Sequence, residues 1–166
     1  MKSSQIRTRH FLLPGLIAAG AGLLTPPAQA AGYRITINNR ALQQECGSCH
    51  VIYPPQLLSA ASWRAVMNGL DRHFGADASV DSATREEILR YLQANASRKD
   101  ASSAGKPSLR ITDTRWFIQE HSEELPHAIW SSPAVKSPSN CSVCHAAAGR
   151  GDYSERTLHV PGGKKR

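Results

Sequence analysis

The stretches "CGSCH" at residues 46–50 and "CSVCH" at residues 141–145 decide how this chain is read. The chain has four cysteines, and these two stretches use all of them. In each, two residues separate the cysteines and a histidine follows at once: Cys46, Cys49 and His50, then Cys141, Cys144 and His145. Cysteines at i and i+3 lie about one helical turn apart on the same face. The pattern therefore presents two thiols side by side and an imidazole next to them, twice.

Four chemistries use paired cysteines. Structural zinc takes C-x-x-C pairs, and two histidines could complete a site. Zinc gives no reason for a histidine at the same place both times. Disulfides are common in exported proteins, but two isolated C-x-x-C pairs would close small strained rings. A thioredoxin-like redox motif needs a βαβ context, which this sequence lacks. The fourth is c-type haem attachment, which requires this residue order. The thiols bond the two vinyl groups of a haem, and the adjacent imidazole meets the iron. The expectation is two covalently attached haem c groups, held by Cys46 and Cys49 and by Cys141 and Cys144. His50 and His145 are then the proximal ligands.

The N-terminus predicts export, which suits that chemistry. "MKSSQIRTRH" is basic, residues 11–24 are apolar, and "TPPAQA" ends with small residues at Ala28 and Ala30. This is the layout of a signal peptide cleaved after Ala30. The apolar run is short for a spanning helix, which needs about 20 residues, and contains Pro14. No later stretch is apolar enough to span, so the processed chain is expected to be soluble. Cleavage leaves 136 of the 166 residues and, with Lys2, Arg7 and Arg9 gone, takes the net charge from +7 to +4. "KKR" at 164–166 supplies most of the remainder, and no basic stripe runs along a helix. Nucleic acid is therefore not an expected partner. The processed chain also has few large apolar residues, and so small a core needs a staple such as a cofactor.

Periodicity predicts a mainly α protein. Trp63, Val66, Met67 and Leu70 recur at i, i+3, i+4 and i+7, with Ser62 as the cap and Gly75 as the latest stop. Within "DSATREEILRYLQANAS", Asp81 or Ser82 caps a second helix. Thr84 and Glu87 have capping-box spacing, and Ile88, Leu89, Tyr91 and Leu92 form its buried face. "ITDTRWFIQEHSEEL" predicts a third helix, with Asp113 or Thr114 near its start, Pro126 past its end and His121 on the apolar face with Phe117 and Leu125. Asn140 is expected to cap a short helix carrying the second motif, with Gly149 ending it. Residues 150–166 read as loop and tail, and "YRITINN" as a short strand or extended arm. The polar segment 97–108 reads as a linker. This gives a signal peptide over 1–30, an N-terminal haem domain over 31–100 and a C-terminal haem domain over 101–166.

Each iron has a second axial position, and its occupant sets potential and access. After processing the chain keeps one methionine, Met67, so at most one haem can be His/Met. For the first haem the choice is Met67 or His73. Met67 fits a core methionine filling a gap, so His73 ranks first. For the second the order is His121, His127, His159.

The segment "ECGSCHVIYPPQLLSAASWRAVMNGLDRHFGADASVD" is similar to the first-haem segment of the bacterial periplasmic dihaem cytochrome c family. "RWFIQEHSEEL" and "SPSNCSVCHAAAGRGDYSER" resemble its second-haem segment. The resemblance implies a class I cytochrome c-like N-terminal domain and a less regular C-terminal one. It also implies bis-histidine ligation of both irons, with His73 and His121 as distal ligands. It implies redox partners such as an oxygen-binding monohaem cytochrome c or a membrane cytochrome b. The protein would carry electrons and would not be an enzyme. The competing class is a haem enzyme or gas sensor with one open or weakly held iron position. The chain is short for a dihaem peroxidase and offers no nucleophile constellation. One detail is expected beside the first haem: the carbonyl of Pro54 or Pro55 accepts a hydrogen bond from the far nitrogen of His50.

Overall fold

The computed structural model describes residues 34–99, 106–122 and 125–162. The signal peptide expected over 1–30, and residues 100–105 of the expected linker, lie outside these. The described residues belong to one compact unit, Ala31–Arg166. Their regular structure is helical. Among them, extended pairing occurs only as isolated bridges, and "YRITINN" contributes one, Arg34 with Asp152.

The first half rests on three helices: α1 (Arg40–Glu45), α2 (Ala60–Met67) and α3 (Ser82–Ala94). Each begins at a side-chain cap, worth about 1 kcal/mol apiece. The Asn39 side chain accepts from the Leu42 amide, Ser59 from the Ser62 amide, and Asp81 from the amides of Ala83 and Thr84. The cap of α2 is thus Ser59, three residues before the expected Ser62. Ala60 and Ala61 are strong helix formers and start the helix earlier. Ser62 is fully buried, and its hydroxyl accepts from that of Ser59. The expected capping box at Thr84 and Glu87 is absent. Asp81 already serves the first amides of α3, and Glu87 instead accepts from the Asn39 side-chain amide.

Leu42, Leu58, Trp63, Met67, Ile88 and Leu92 form one buried cluster between these helices. The Ser97 amide donates to the Leu58 carbonyl and closes the end of α3 onto the start of α2. The Trp63 indole donates to the Pro55 carbonyl at 2.7 Å. This holds the proline segment, which winds as a 3-10 turn over Pro55–Leu57, against the core. Ile111, beyond the linker, also packs on this cluster.

The second half has one α-helix, α4 (Arg115–Ser122), and a series of short 3-10 turns. Thr114 starts α4, its hydroxyl accepting from the Phe117 amide. Pro126, Pro133 and Pro138 punctuate the following segment and prevent longer α-helix. The segment expected to be tail is integrated instead. The Ile35 amide donates to the Gly151 carbonyl at 2.8 Å, and Arg34 pairs with Asp152 at 3.0 Å. Gly151 has φ +71, and a Cβ there would run into the Ile35 carbonyl. Only glycine combines that dihedral with that approach.

Candidate haem sites

The first motif begins where α1 ends: Cys46 is the C-cap, and its amide still donates to the Leu42 carbonyl. The second motif runs through a 3-10 turn over Cys141–Val143, where the amides of Cys144 and His145 both donate to the Cys141 carbonyl. Neither motif therefore lies within an α-helix. A single turn suffices to bring i and i+3 together. The expected cap also fails: the Asn140 side chain donates to the Val135 carbonyl instead. Gly151, not Gly149, closes the next turn, Ala148–Arg150. No disulfide joins any of the four cysteines. Burial raises the pKa of Cys46, Cys141 and Cys144 above the ordinary value.

Opposite His50 stands His73, at the end of a 3-10 turn over Leu70–Arg72. The chain then reverses, the Ala76 amide donating to the His73 carbonyl. Phe74 (φ +52) and Gly75 (φ +101) make the corner. A left-handed dihedral at an aromatic residue costs of order 1 kcal/mol or more. Here it aims the His73 ring at His50. The two ring centroids are 6.3 Å apart and the planes differ by 21°.

Opposite His145 stands His121 on the last turn of α4. These centroids are also 6.3 Å apart, but the planes differ by 80°. Two imidazoles on opposite sides of one metal ion, each with a metal–nitrogen bond of about 2.0 Å and about 1.1 Å from that nitrogen to its ring centre, have centroids about 6.2 Å apart. Both pairs have a centroid separation that would admit an iron between them.

Hydrogen bonds to the outer nitrogens assign two of the tautomers. His50 Nδ1 lies 2.7 Å from the Val51 carbonyl and His121 Nδ1 lies 2.8 Å from the Phe117 carbonyl. A carbonyl only accepts, so each Nδ1 carries the proton and each Nε2 lone pair is free to bind metal. The acceptor for His50 is thus Val51, not Pro54 or Pro55. The Pro55 carbonyl is turned into the core toward Trp63. His145 Nδ1 is buried without a partner, as are the Tyr153 hydroxyl and the Ser154 Oγ. These orphaned groups all belong to the second site. Burial, then the neighbouring histidine, lowers the pKa of both His73 and His145 and favours the neutral, metal-binding form.

Aromatic rings frame both sites. Tyr53 stacks on His50 at 4.7 Å, and Phe117 stacks on His121 at 4.0 Å. Trp130 lies edge-on to His121, and Tyr153 is tilted against His145 at 5.4 Å. Met67 is buried in the apolar cluster. His127 opens a separate 3-10 turn, His127–Ser131. His159 approaches the second site by its backbone, its amide donating to the Cys144 carbonyl. The sequence reading missed the framing tyrosines and the role of residues 150–160. The Asp-x-Ser of "GDYSER" was a usable signal, since the Asp152 side chain accepts from the Ser154 amide as in an Asx turn. Among the described residues no three His, Cys, Asp or Glu side chains gather as a metal cluster.

Comparison with known proteins accords with this geometry. A search of curated proteins returns no match. Solved structures do match. A diheme cytochrome c from Rhodobacter sphaeroides is 36% identical with TM-score 0.64, covering 72% of this chain and 99% of its own. A second structure from that organism, of DHC purified from it, is 41% identical with TM-score 0.59, covering 72% and 100%. A diheme cytochrome type c from Shewanella baltica OS155 is 37% identical with TM-score 0.64, covering 76% and 96%. The family model for dihaem cytochrome c matches residues 42–153. The chain belongs to the dihaem cytochrome c family.

Proposed function

We propose that this protein is a periplasmic electron carrier whose two haems are covalently attached and bis-histidine ligated. Family membership implies a haem protein of electron transfer with redox partners. The finer reading rests on one observation above all: both histidine pairs have a 6.3 Å separation. Cys46 and Cys49 would hold the first haem, with His50 and His73 on its iron. Cys141 and Cys144 would hold the second, with His145 and His121. The two haem lobes, 31–100 and 101–166, would sit within one compact unit.

When bound, each haem supplies one-electron chemistry between the ferric and ferrous states. The chain's own residues hold the ligands in place. The carbonyls of Val51 and Phe117 fix the His50 and His121 tautomers, and Tyr53 and Phe117 restrict how those rings turn. Ligands fixed before and after electron transfer need little rearrangement. With His73 and His121 facing His50 and His145, each iron would have no position left for oxygen, peroxide or another substrate. The protein is thus a carrier and not an enzyme or gas sensor. No helix among the described residues is long and apolar enough to cross a membrane. The periplasmic assignment rests on the leader over 1–30, and the partner is a redox protein such as an oxygen-binding monohaem cytochrome c or a membrane cytochrome b.

The test is absorption spectroscopy of the oxidised and dithionite-reduced protein, with carbon monoxide added to the reduced form. Six-coordinate low-spin bands that carbon monoxide leaves unchanged are expected. A carbon monoxide shift would mean an open or weakly held iron and would favour the enzyme or sensor.

A further inference from the structure

Tyr53 touches both sites. Its ring lies 4.7 Å from that of His50 with the planes 20° apart. Its hydroxyl donates to the Ser139 carbonyl at 2.9 Å, across 86 residues of sequence. The same carbonyl lies 3.6 Å from Cys141 Sγ. That sulfur stands where a thioether would be when the second haem is attached. A continuous line of contacts therefore runs from the His50 imidazole through the Tyr53 ring and hydroxyl to the Ser139 carbonyl and the Cys141 sulfur. The Tyr53 ring also packs against the first-half apolar cluster, so its position is fixed from both sides.

We propose that Tyr53 links the two haems, its ring orienting His50 about the iron–nitrogen axis and its hydroxyl completing an electron route to the Cys141 attachment. The proposal rests on the bis-histidine reading above. In the step concerned, one electron leaves the ferrous iron of one haem and arrives at the ferric iron of the other. No bond breaks. Tyr53 is neither oxidised nor deprotonated; its hydroxyl stays a donor to the Ser139 carbonyl. Tyr53 is a positioning residue here, since it acts through His50 and Ser139.

The experiment uses holoprotein carrying Tyr53→Phe and, separately, Tyr53→Leu. Three readouts are taken: the rate of electron exchange between the haems in half-reduced protein, both midpoint potentials, and low-temperature electron paramagnetic resonance of the oxidised state. Tyr53→Phe keeps the stacked ring and loses the hydroxyl. It is expected to keep the first haem's resonance signal while exchange slows several-fold at unchanged driving force. Tyr53→Leu removes the stack as well and is expected also to move the first haem's signal and leave the second's in place. Exchange at the wild-type rate in Tyr53→Phe would overturn the proposal, whatever Tyr53→Leu does. Carbon monoxide binding to the reduced wild type is a separate result: it would remove the bis-histidine reading itself.

Discussion

Around His50 the chain supplies six interlocked apolar side chains, five of them on three capped helices; around His145 it supplies one two-turn helix, short 3-10 turns and scattered contacts. Leu58, Ile88 and Leu92 are almost fully buried in the first half. The buried groups of the second half are small or polar: Val135, Ala147, Ala148, Thr114, Asp152 and Ser154, with Phe117 and Cys144. Its buried polar atoms without partners belong to His145, Tyr153 and Ser154. The same five-residue pattern is thus carried by a scaffold with an apolar core of its own and by one whose interior is small, polar and partly unpaired. The histidine pairs differ as well: equal in spacing, they are near parallel in the first site and near perpendicular in the second.

The strongest way to break this comparison is to remove one haem at a time. Cys141→Ser with Cys144→Ser is expected to drop haem content from two to one per chain, measured by alkaline pyridine spectra. The helical circular dichroism of α1–α3 should survive, while limited proteolysis opens the region 106–160. A second half that stays protease-resistant without its haem would erase the distinction.

Next in size is Gly151→Ala, which attacks the seam where the N-terminal arm meets the second site. The left-handed dihedral and the collision with the Ile35 carbonyl should cost about 2 kcal/mol or more. Guanidinium unfolding followed at the Soret band measures it, and a cost below about 0.5 kcal/mol, the size of an ordinary surface change, would mean the arm is not held there.

Trp63→Phe sharpens the other side. It leaves the Pro55 carbonyl without its indole donor, and the expected loss is about 1–2 kcal/mol. Because the first half has its own core, the first haem should stay bound.

The smallest effect is electrostatic. The hydrogen bond from the Ser154 amide, then the interaction with Arg34, holds the Asp152 carboxyl down to about 2. A depressed folded-state pKa gives stability that is full above the ordinary value of 3.8 and fades as pH falls through the folded one. The stability gap between wild type and Asp152→Asn should therefore be flat above about pH 5 and close between about pH 4 and pH 2. A gap that persists to the lowest pH would mean that Asp152 acts by shape and not by charge.

The first half was largely legible because its helices repeat. Trp63 with Met67 and Ile88 with Leu92 mark faces that periodicity finds; the cap of α2 moved to Ser59 from Ser62, the Thr84 and Glu87 box is absent, and α1 was not foreseen. The second half was not, because its order comes from contacts that no local pattern encodes. Arg34 meets Asp152 across 118 residues, and Tyr53 meets Ser139 across 86. Prolines and small residues between 125 and 150 give turns in place of periods. The two C-x-x-C-H motifs were legible at once, since a fixed residue order needs no tertiary information. The ring partners of His50 and His145 could be ranked but not fixed by residues alone, because which rings face each other is a tertiary fact. The angle between ring planes left no trace in the sequence.

That angle supplies the most direct test of the central claim, two bis-histidine haems on unlike scaffolds. Near-parallel imidazoles split the two iron orbitals that point between them, and near-perpendicular ones leave those orbitals almost equal in energy. Low-temperature electron paramagnetic resonance of the fully oxidised protein should therefore show two low-spin signals of equal weight, one rhombic and one strongly anisotropic. Any stoichiometric high-spin signal, or a single type of low-spin signal accounting for both irons, would contradict the account.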